Sequence, residues 1–93
     1  AEQLMMSNLE TPLKLDDIAR LVGISRAGLE RAFQKHFNVS VMRKYRILRI
    51  NAARKMLEKG LSISEAAYLT GFSSPQHFAT VFKNETNVTP SSI

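Results

Sequence analysis

The sequence contains no cysteine, no long apolar run and few acidic residues. The absence of cysteine excludes disulfides and thiolate metal sites, and it is typical of proteins from a reducing cytoplasm. No segment approaches the roughly 18 consecutive apolar residues of a membrane span, and no signal peptide opens the chain. We therefore expect a cytoplasmic protein with no membrane partner. Because the chain begins at Ala1 rather than at methionine, we also expect it to be part of a longer protein.

The basic residues are concentrated in one part of the chain. Ten of the 13 lysines and arginines lie between Arg26 and Lys59, where only Glu30 and Glu58 are acidic. Such an excess is costly unless it is solvated or faces a polyanion. A solvated helix face is the simpler alternative, but the placement of the block beside a predicted turn between two helices favours a nucleic acid.

The chain repeats one pattern, in residues 13–40 and again in residues 61–89. Three pairs separated by 48 positions are Leu15 and Ile63, Ala19 and Ala67, and Gly23 and Gly71; three separated by 49 are Leu29 and Phe78, Phe33 and Phe82, and Asn38 and Asn87. Two copies are too few for a solenoid, which needs at least about three. The pattern instead indicates a small supersecondary unit that is used twice.

Each copy has the pattern of a helix, a glycine turn and a second, capped helix. In the first copy we expect Asp16 to cap a helix at 17–22 and Ser25 to cap a helix at about 26–36. In the second copy we expect Ser64 to cap a helix at 65–70, and Ser74 followed by proline to begin a helix at about 75–85. The first long helix should bury Leu29, Ala32, Phe33 and Phe37, and the second should bury Phe78, Val81 and Phe82. Glycine permits the tight turns, so each copy matches a helix-turn-helix.

A long helix at 41–58 is predicted between the two copies, and helical spacing also marks residues 2–9. The apolar stripe of the long helix consists of Tyr45, Leu48, Ala52, Ala53, Met56 and Leu57. The sequence thus predicts an all-α fold of about seven helices. It would comprise a first helix-turn-helix subdomain at 1–40, a linking helix at 41–59 and a second subdomain at 60–93.

These features resemble the DNA-binding domain of AraC/XylS-type bacterial transcription regulators over nearly the whole chain. The second copy carries the most specific residues, which are Ser62 to Ala67, Gly71, Phe72, Phe78, Phe82, Lys83, Thr89 and Pro90; the first copy and the linking helix add Leu15, Ile18, Ala19, Gly23, Ser25, Leu29, Arg31, Phe33, Tyr45, Arg49, Ala53 and Leu57. Asn38 and Asn87 replace the glycines usual in this family, and asparagine also tolerates the left-handed conformation.

The resemblance implies sequence-specific binding to duplex DNA, with the second helix of each unit, which we call its recognition helix, in the major groove. On that reading the base-contacting candidates are Arg26, Ala27, Glu30, Arg31, Gln34, Gln76, His77 and Thr80. The phosphate-contacting candidates are Ser25, Arg43, Lys44, Arg46, Ser73, Ser74 and Lys83. For Glu30 a solvated charge that interacts with Gln34 is an equal alternative. For Arg49 the resemblance favours holding the linking helix in place over contacting DNA.

The main alternative is a helical protein-interaction module whose basic face binds an acidic partner. The exposed faces of the predicted recognition helices lack the apolar stripe that a partner groove would need. An enzyme is disfavoured because no nucleophile lies near a base and no cluster of titratable residues is visible. We expect no cofactor and no metal. Duplex DNA is the expected partner, RNA polymerase is a second candidate, and the domain should be monomeric, with dimerisation left to another region of the protein.

Overall fold

The computed structural model describes all 93 residues and contains six α-helices, a final 3-10 turn and no β-strand. The elements are α1 (Glu2–Met6), α2 (Leu15–Val22), α3 (Arg26–Phe37), α4 (Val41–Glu58), α5 (Ile63–Leu69), α6 (Pro75–Thr86) and the 3-10 turn (Pro90–Ser92). The all-α prediction is confirmed, and the linking helix has the predicted bounds. The first helix is shorter than expected, since it ends at Met6 rather than near residue 9. None of the helices combines the length and the apolar character needed to cross a bilayer.

The two predicted caps of the short helices were wrong by two residues. Lys14, not Asp16, precedes α2, and its backbone N–H donates to Asp17 Oδ2 at 3.4 Å. Ser62, not Ser64, caps α5: its Oγ accepts from the backbone N–H of Glu65 at 3.1 Å, and Glu65 Oε1 accepts from the backbone N–H of Ser62 at 3.0 Å. In both helices the acid at the third helical position, Asp17 or Glu65, accepts the backbone N–H of the residue just before the helix. Each helix therefore starts earlier than the predicted cap residue indicates.

The residues at both ends of α3 and α6 are those that the sequence predicts. Ser25 and Ser74 cap α3 and α6 through hydroxyls that accept backbone N–H bonds at 3.0 and 3.1 Å. Asn38 and Asn87 follow those helices with φ of 58° and 65°, in the left-handed region where asparagine replaces glycine at low cost. The two recognition helices are thus bounded by the same residue types at both ends.

The interior consists of two apolar clusters that share α4. The first contains Met5, Ile18, Ala19, Leu29, Phe33, Val41 and Tyr45, and the second contains Ile50, Ala53, Ala66, Ala67, Phe72, Phe78 and Phe82. Because α4 contributes its first half to one cluster and its second half to the other, it is the common support of both units. Phe37 was expected inside but is 37% exposed, and Ile50, absent from the predicted stripe, is buried.

Candidate nucleic-acid interface

The first recognition helix, α3, presents a polar surface opposite its buried Leu29 and Phe33. Four of the predicted base contacts, Arg26, Ala27, Arg31 and Gln34, are exposed. Arg26 Nε lies 3.1 Å from Asp16 Oδ1, but both side chains are well exposed and such a pair is weak. Gln34 Nε2 donates to Asn38 Oδ1 at 3.0 Å. Arg31 has no ion-pair partner, so its guanidinium is available to a ligand.

Glu30 has a structural partner that the sequence did not indicate. Its Oε1 accepts the backbone N–H of Val41, the first residue of α4, at 2.8 Å. The side chain is partly buried, and Gln34 is engaged with Asn38 rather than with Glu30. A carboxylate at a helix N-terminus is stabilised both by the free N–H groups and by the helix dipole. Glu30 therefore couples α3 to the linking helix.

The second recognition helix, α6, exposes Gln76, His77 and Thr80, the three predicted base contacts of this unit. The Thr80 hydroxyl donates to the backbone carbonyl of Gln76 at 3.1 Å, which leaves its oxygen free to accept. Lys83 Nζ lies 3.4 Å from the carbonyl of Asn87 at the C-terminal end of the helix. The exposed face of α6 thus offers amide, imidazole and hydroxyl groups, with a single cation at its far end.

A groove of about 540 Å³ lies between α4 and this face of α6. It is lined by Arg43 and Arg46 from α4 and by His77, Thr80, Val81, Asn84 and Glu85 from α6. Arg43 Nη2 lies 3.4 Å from Glu85 Oε1, and Arg46 Nε lies 3.9 Å from Glu85 Oε2. The Glu85 side chain is 11% exposed, whereas the arginines are about half exposed. The structure therefore brings two predicted phosphate contacts beside the second recognition helix, together with an acid that sequence reasoning missed.

Lys44 lies elsewhere. Its Nζ is 4.3 Å from the centroid of the Phe37 ring and 3.7 Å from Glu2 Oε1, and its side chain is only 18% exposed. This cation–π contact holds the ammonium between α1 and the end of α3. Lys44 is thus not part of the groove that contains Arg43 and Arg46.

The remaining predicted phosphate contacts lie at the N-termini of the recognition helices. The Ser25 and Ser74 hydroxyls already accept the backbone N–H groups of Gly28 and His77, so a phosphate contact at these helix starts would use the N–H groups that remain free in the first turn. Ser73 is exposed. Free N–H groups at a helix start form a natural anion site, since the helix dipole is positive there.

Arg49 is a structural residue, as the resemblance implied. Its Nε donates to the carbonyl of Thr70 at 2.7 Å, its Nη2 donates to the carbonyl of Gly71 at 2.8 Å, and the guanidinium lies 4.1 Å from the centroid of the Phe72 ring. Burial lowers the pKa of Arg49, with Tyr45 opposing and Arg46 adding to this effect, but an arginine remains protonated at any ordinary pH. Arg49 is thus directed into the turn of the second unit.

The arrangement contains no group of three or more His, Asp or Glu side chains that could hold a metal ion. The chemistry that it offers is recognition by exposed polar side chains and by cations. The molecule measures 39 Å along its longest axis, slightly more than the roughly 34 Å between successive major-groove faces of duplex DNA. These dimensions and side chains suit a duplex as ligand.

Comparison with known proteins also identifies a helix-turn-helix domain of transcription regulators. Residues 18–93 match the model of a helix-turn-helix domain. The chain is 42% identical over 90 residues to the transcriptional regulator GlxA of Rhizobium meliloti, which covers 96% of this chain and 28% of that protein. It spans about a quarter of the length of GlxA and of the regulators GbdR and ArgR of Pseudomonas aeruginosa, to which it is 41% and 42% identical over 88 residues.

Solved structures have the same fold. One of them is a transcriptional regulator of Chromobacterium violaceum that contains an AraC-type DNA-binding domain. It superposes on this chain with a TM-score of 0.92 at 41% identity, over 97% of this chain and 81% of that one. The DNA-binding domain of AdpA, solved with its target DNA, has a TM-score of 0.87 at 21% identity, over 97% of this chain and 82% of that one. At that identity the likeness concerns the fold alone. The family match and the Chromobacterium structure show that the chain belongs to the AraC-type DNA-binding domains, the helix-turn-helix modules of bacterial transcription regulators.

Proposed function

We propose that this chain binds duplex DNA with α3 and α6 in two adjacent segments of the major groove, on one face of the duplex. The observation that carries the proposal is that two capped helices with polar outer faces are both anchored on α4. At 1.5 Å per residue α4 is about 27 Å long, which is close to the groove repeat of roughly 34 Å. A monomer can therefore contact two groove segments at once.

The base contacts that we assign to α3 are Arg26, Ala27, Arg31 and Gln34, and those of α6 are Gln76, His77 and Thr80. Arg31 is the strongest candidate because its unpaired guanidinium can bond guanine O6 and N7 together. Gln76 can pair in the same two-bond manner with adenine. We leave Glu30 out, since its carboxylate bonds the first N–H of α4.

Phosphate contacts would come from the N-termini of α3 and α6 at Ser25, Ser73 and Ser74, and from Arg43, Arg46 and Lys83. Lys44 is excluded because its ammonium is held between Phe37 and Glu2. These contacts would orient the domain on the duplex and would contribute equally to the affinity for every DNA sequence.

For the longer protein, we propose a bacterial regulator located in the cytoplasm, with signal sensing and dimerisation outside this domain and RNA polymerase as a further partner. The domain itself would bind as a monomer. This proposal rests on the family to which the chain belongs, because the chain itself corresponds to only about a quarter of the length of GlxA and GbdR.

The test is selection of bound sequences from a random duplex pool, followed by salt titration on the selected site and on a shuffled duplex of equal composition. We expect two short motifs about one helical turn apart, and a slope of log K against log salt near −5 if about six phosphates are neutralised. A shuffled duplex should bind more weakly with a similar slope. No enriched motif, or an affinity that salt leaves unchanged, would contradict the proposal.

A further inference from the structure

The turn of the second unit lies directly against the first unit, at Gly71. A Cβ atom on Gly71 would lie 2.5 Å from the carbonyl oxygen of Leu9 and 2.6 Å from Pro12 Cγ. Leu9 and Pro12 belong to the segment between α1 and α2, more than 50 residues earlier in the chain. Since non-bonded atoms pack at about 3.5–4.0 Å, even one methyl group would require the two units to separate by about 1 Å.

Gly23 occupies the same position in the first unit and shows what is special about Gly71. Both glycines are left-handed, with φ of +78° at Gly23 and +81° at Gly71, so both turns favour glycine on conformational grounds. A Cβ atom on Gly23, however, would meet nothing within 4 Å. The close approach therefore belongs to Gly71 alone and is not a requirement of the turn.

Two side chains of α4 anchor the two surfaces that meet at Gly71. Tyr45 holds the α1–α2 segment: its hydroxyl accepts the backbone N–H of Leu13 at 3.0 Å and donates to the carbonyl of Asn8. Arg49, one helical turn further along α4, holds the other surface through the carbonyls of Thr70 and Gly71. We call this arrangement of Tyr45, Arg49, the Asn8–Leu13 segment and the Thr70–Phe72 turn the inter-unit joint.

We propose that the inter-unit joint sets the number of base pairs between the two half-sites, with Gly71 as its specificity-determining residue. The inference rests on the proposed binding of both recognition helices to one duplex. Adding one base pair to the spacer moves the second half-site by about 3.4 Å and rotates it by roughly 35° about the DNA axis. A joint with no room for one methyl group between Gly71 and the Leu9 carbonyl cannot follow such a movement, so only one spacer length should bind well. A joint opened by a methyl group has room to rotate.

The experiment compares Gly71→Ala with the matched control Gly23→Ala. Each variant is titrated against the selected duplex and against duplexes whose spacer is one base pair shorter or longer. For the wild type and Gly23→Ala we expect the altered spacers to weaken binding by about 10-fold or more, a loss in the range of a mismatched base pair. For Gly71→Ala we expect weaker binding to the selected duplex and a preference among spacers of less than about 3-fold. Full spacer preference in a folded Gly71→Ala variant would overturn the proposal.

If Gly71→Ala does not fold, Arg49→Lys replaces it, because lysine lacks the planar fork by which Nε and Nη2 of Arg49 reach the Thr70 and Gly71 carbonyls. A weakened spacer preference in Arg49→Lys would support the role of the joint, and an unchanged preference would overturn it. Backbone amide chemical shifts, measured without DNA, show the joint directly. Gly71→Ala should shift the amide signals of residues 9–11 and 13, which Gly23→Ala should leave in place, and the opposite result would refute the contact.

Failure of the proposed function gives a different result. If the wild type selects no sequence at all, DNA recognition is wrong and the spacer role falls with it. If the wild type selects a two-part site and all variants keep its spacing, only the role of the joint is wrong.

Discussion

Replacing Glu30 should destabilise the domain rather than change the base that it prefers. In Glu30→Ala the charge-assisted bond to the Val41 N–H is lost, which costs about 1.5–3 kcal/mol for bonds of this type. Val41 is fully buried, so water can replace the missing acceptor only in part. The favourable interaction of the carboxylate with the α4 dipole, worth about 0.3–1 kcal/mol, is lost as well. Since Glu30 is partly exposed, we expect a net loss of about 2 kcal/mol in the free energy of unfolding.

The neighbouring variants separate charge from hydrogen bonding. Glu30→Gln keeps an acceptor for the Val41 N–H but removes the charge, so about 0.5–1 kcal/mol should be lost. Gln34→Ala is the matched control, because Gln34 lies one turn along the same helix and bonds only the exposed side chain of Asn38. We expect its effect to stay within about 0.5 kcal/mol, as for most surface substitutions.

Urea denaturation gives the three free energies, and selection from a random duplex pool gives the base preference of each variant. For a domain of this size, Glu30→Ala should also lower the Tm by roughly 10 °C. Its selected motif should match that of the wild type, with all sites weakened alike. Wild-type stability combined with an altered preference at one base pair would refute the positioning role and restore Glu30 as a base contact.

Three further predictions concern charge. Arg31→Ala should cost about 1–3 kcal/mol at one base pair, whereas Arg43→Ala should weaken all sequences alike, and equal losses at every site for both would contradict the assignment. Glu85→Gln releases two ion pairs whose arginines are about half exposed, each worth about 0.2–1 kcal/mol, so it should raise the affinity for selected and shuffled duplexes alike by about 2- to 30-fold. An unchanged or lower affinity in a gel-shift titration would show that Glu85 does not compete with phosphate. The backbone and hydroxyl of Ser62 lower the pKa of Glu65, so its contribution to stability is present above the unfolded pKa and is lost as the pH falls below about 4.5. Between about pH 5 and pH 3 the wild type should therefore lose more stability than Glu65→Gln in thermal denaturation, and parallel losses would contradict the capping box.

The parts of the fold that could be predicted are those that depend on neighbours in the sequence. The bounds of α4, the Ser25 and Ser74 caps and the left-handed Asn38 and Asn87 all follow from residues within one or two turns. The starts of α2 and α5 were misplaced because an acid inside each helix, Asp17 or Glu65, fixes the start, and only the geometry shows which acid bonds back to the preceding N–H.

The parts that could not be predicted depend on contacts between distant residues. Glu30 and Val41 lie 11 positions apart, and Arg43 and Glu85 lie 42 apart, so no local pattern links them. The sequence shows Gly23 and Gly71 as equivalents, whereas the structure distinguishes them by what surrounds each one. The phosphate contacts predicted on α4 form one group in the sequence, but their partners in the structure separate Arg43 and Arg46 from Lys44.

The two units are therefore expected to contribute unequally to recognition, for a reason that lies in α4 as well as in the recognition helices. The outer face of α3 carries its own arginines, Arg26 and Arg31, so the first unit can combine base contact with charge on one helix. The outer face of α6 carries only Lys83 at its end, and the charge beside it comes from Arg43 and Arg46 across the groove. Because Glu85 partly neutralises those two arginines, contact of the second unit with phosphate requires them to leave the acid. Mismatches in the half-site of α3 should consequently cost more than mismatches in the half-site of α6, and the fixed joint makes the weaker half-site useful only at the correct spacing.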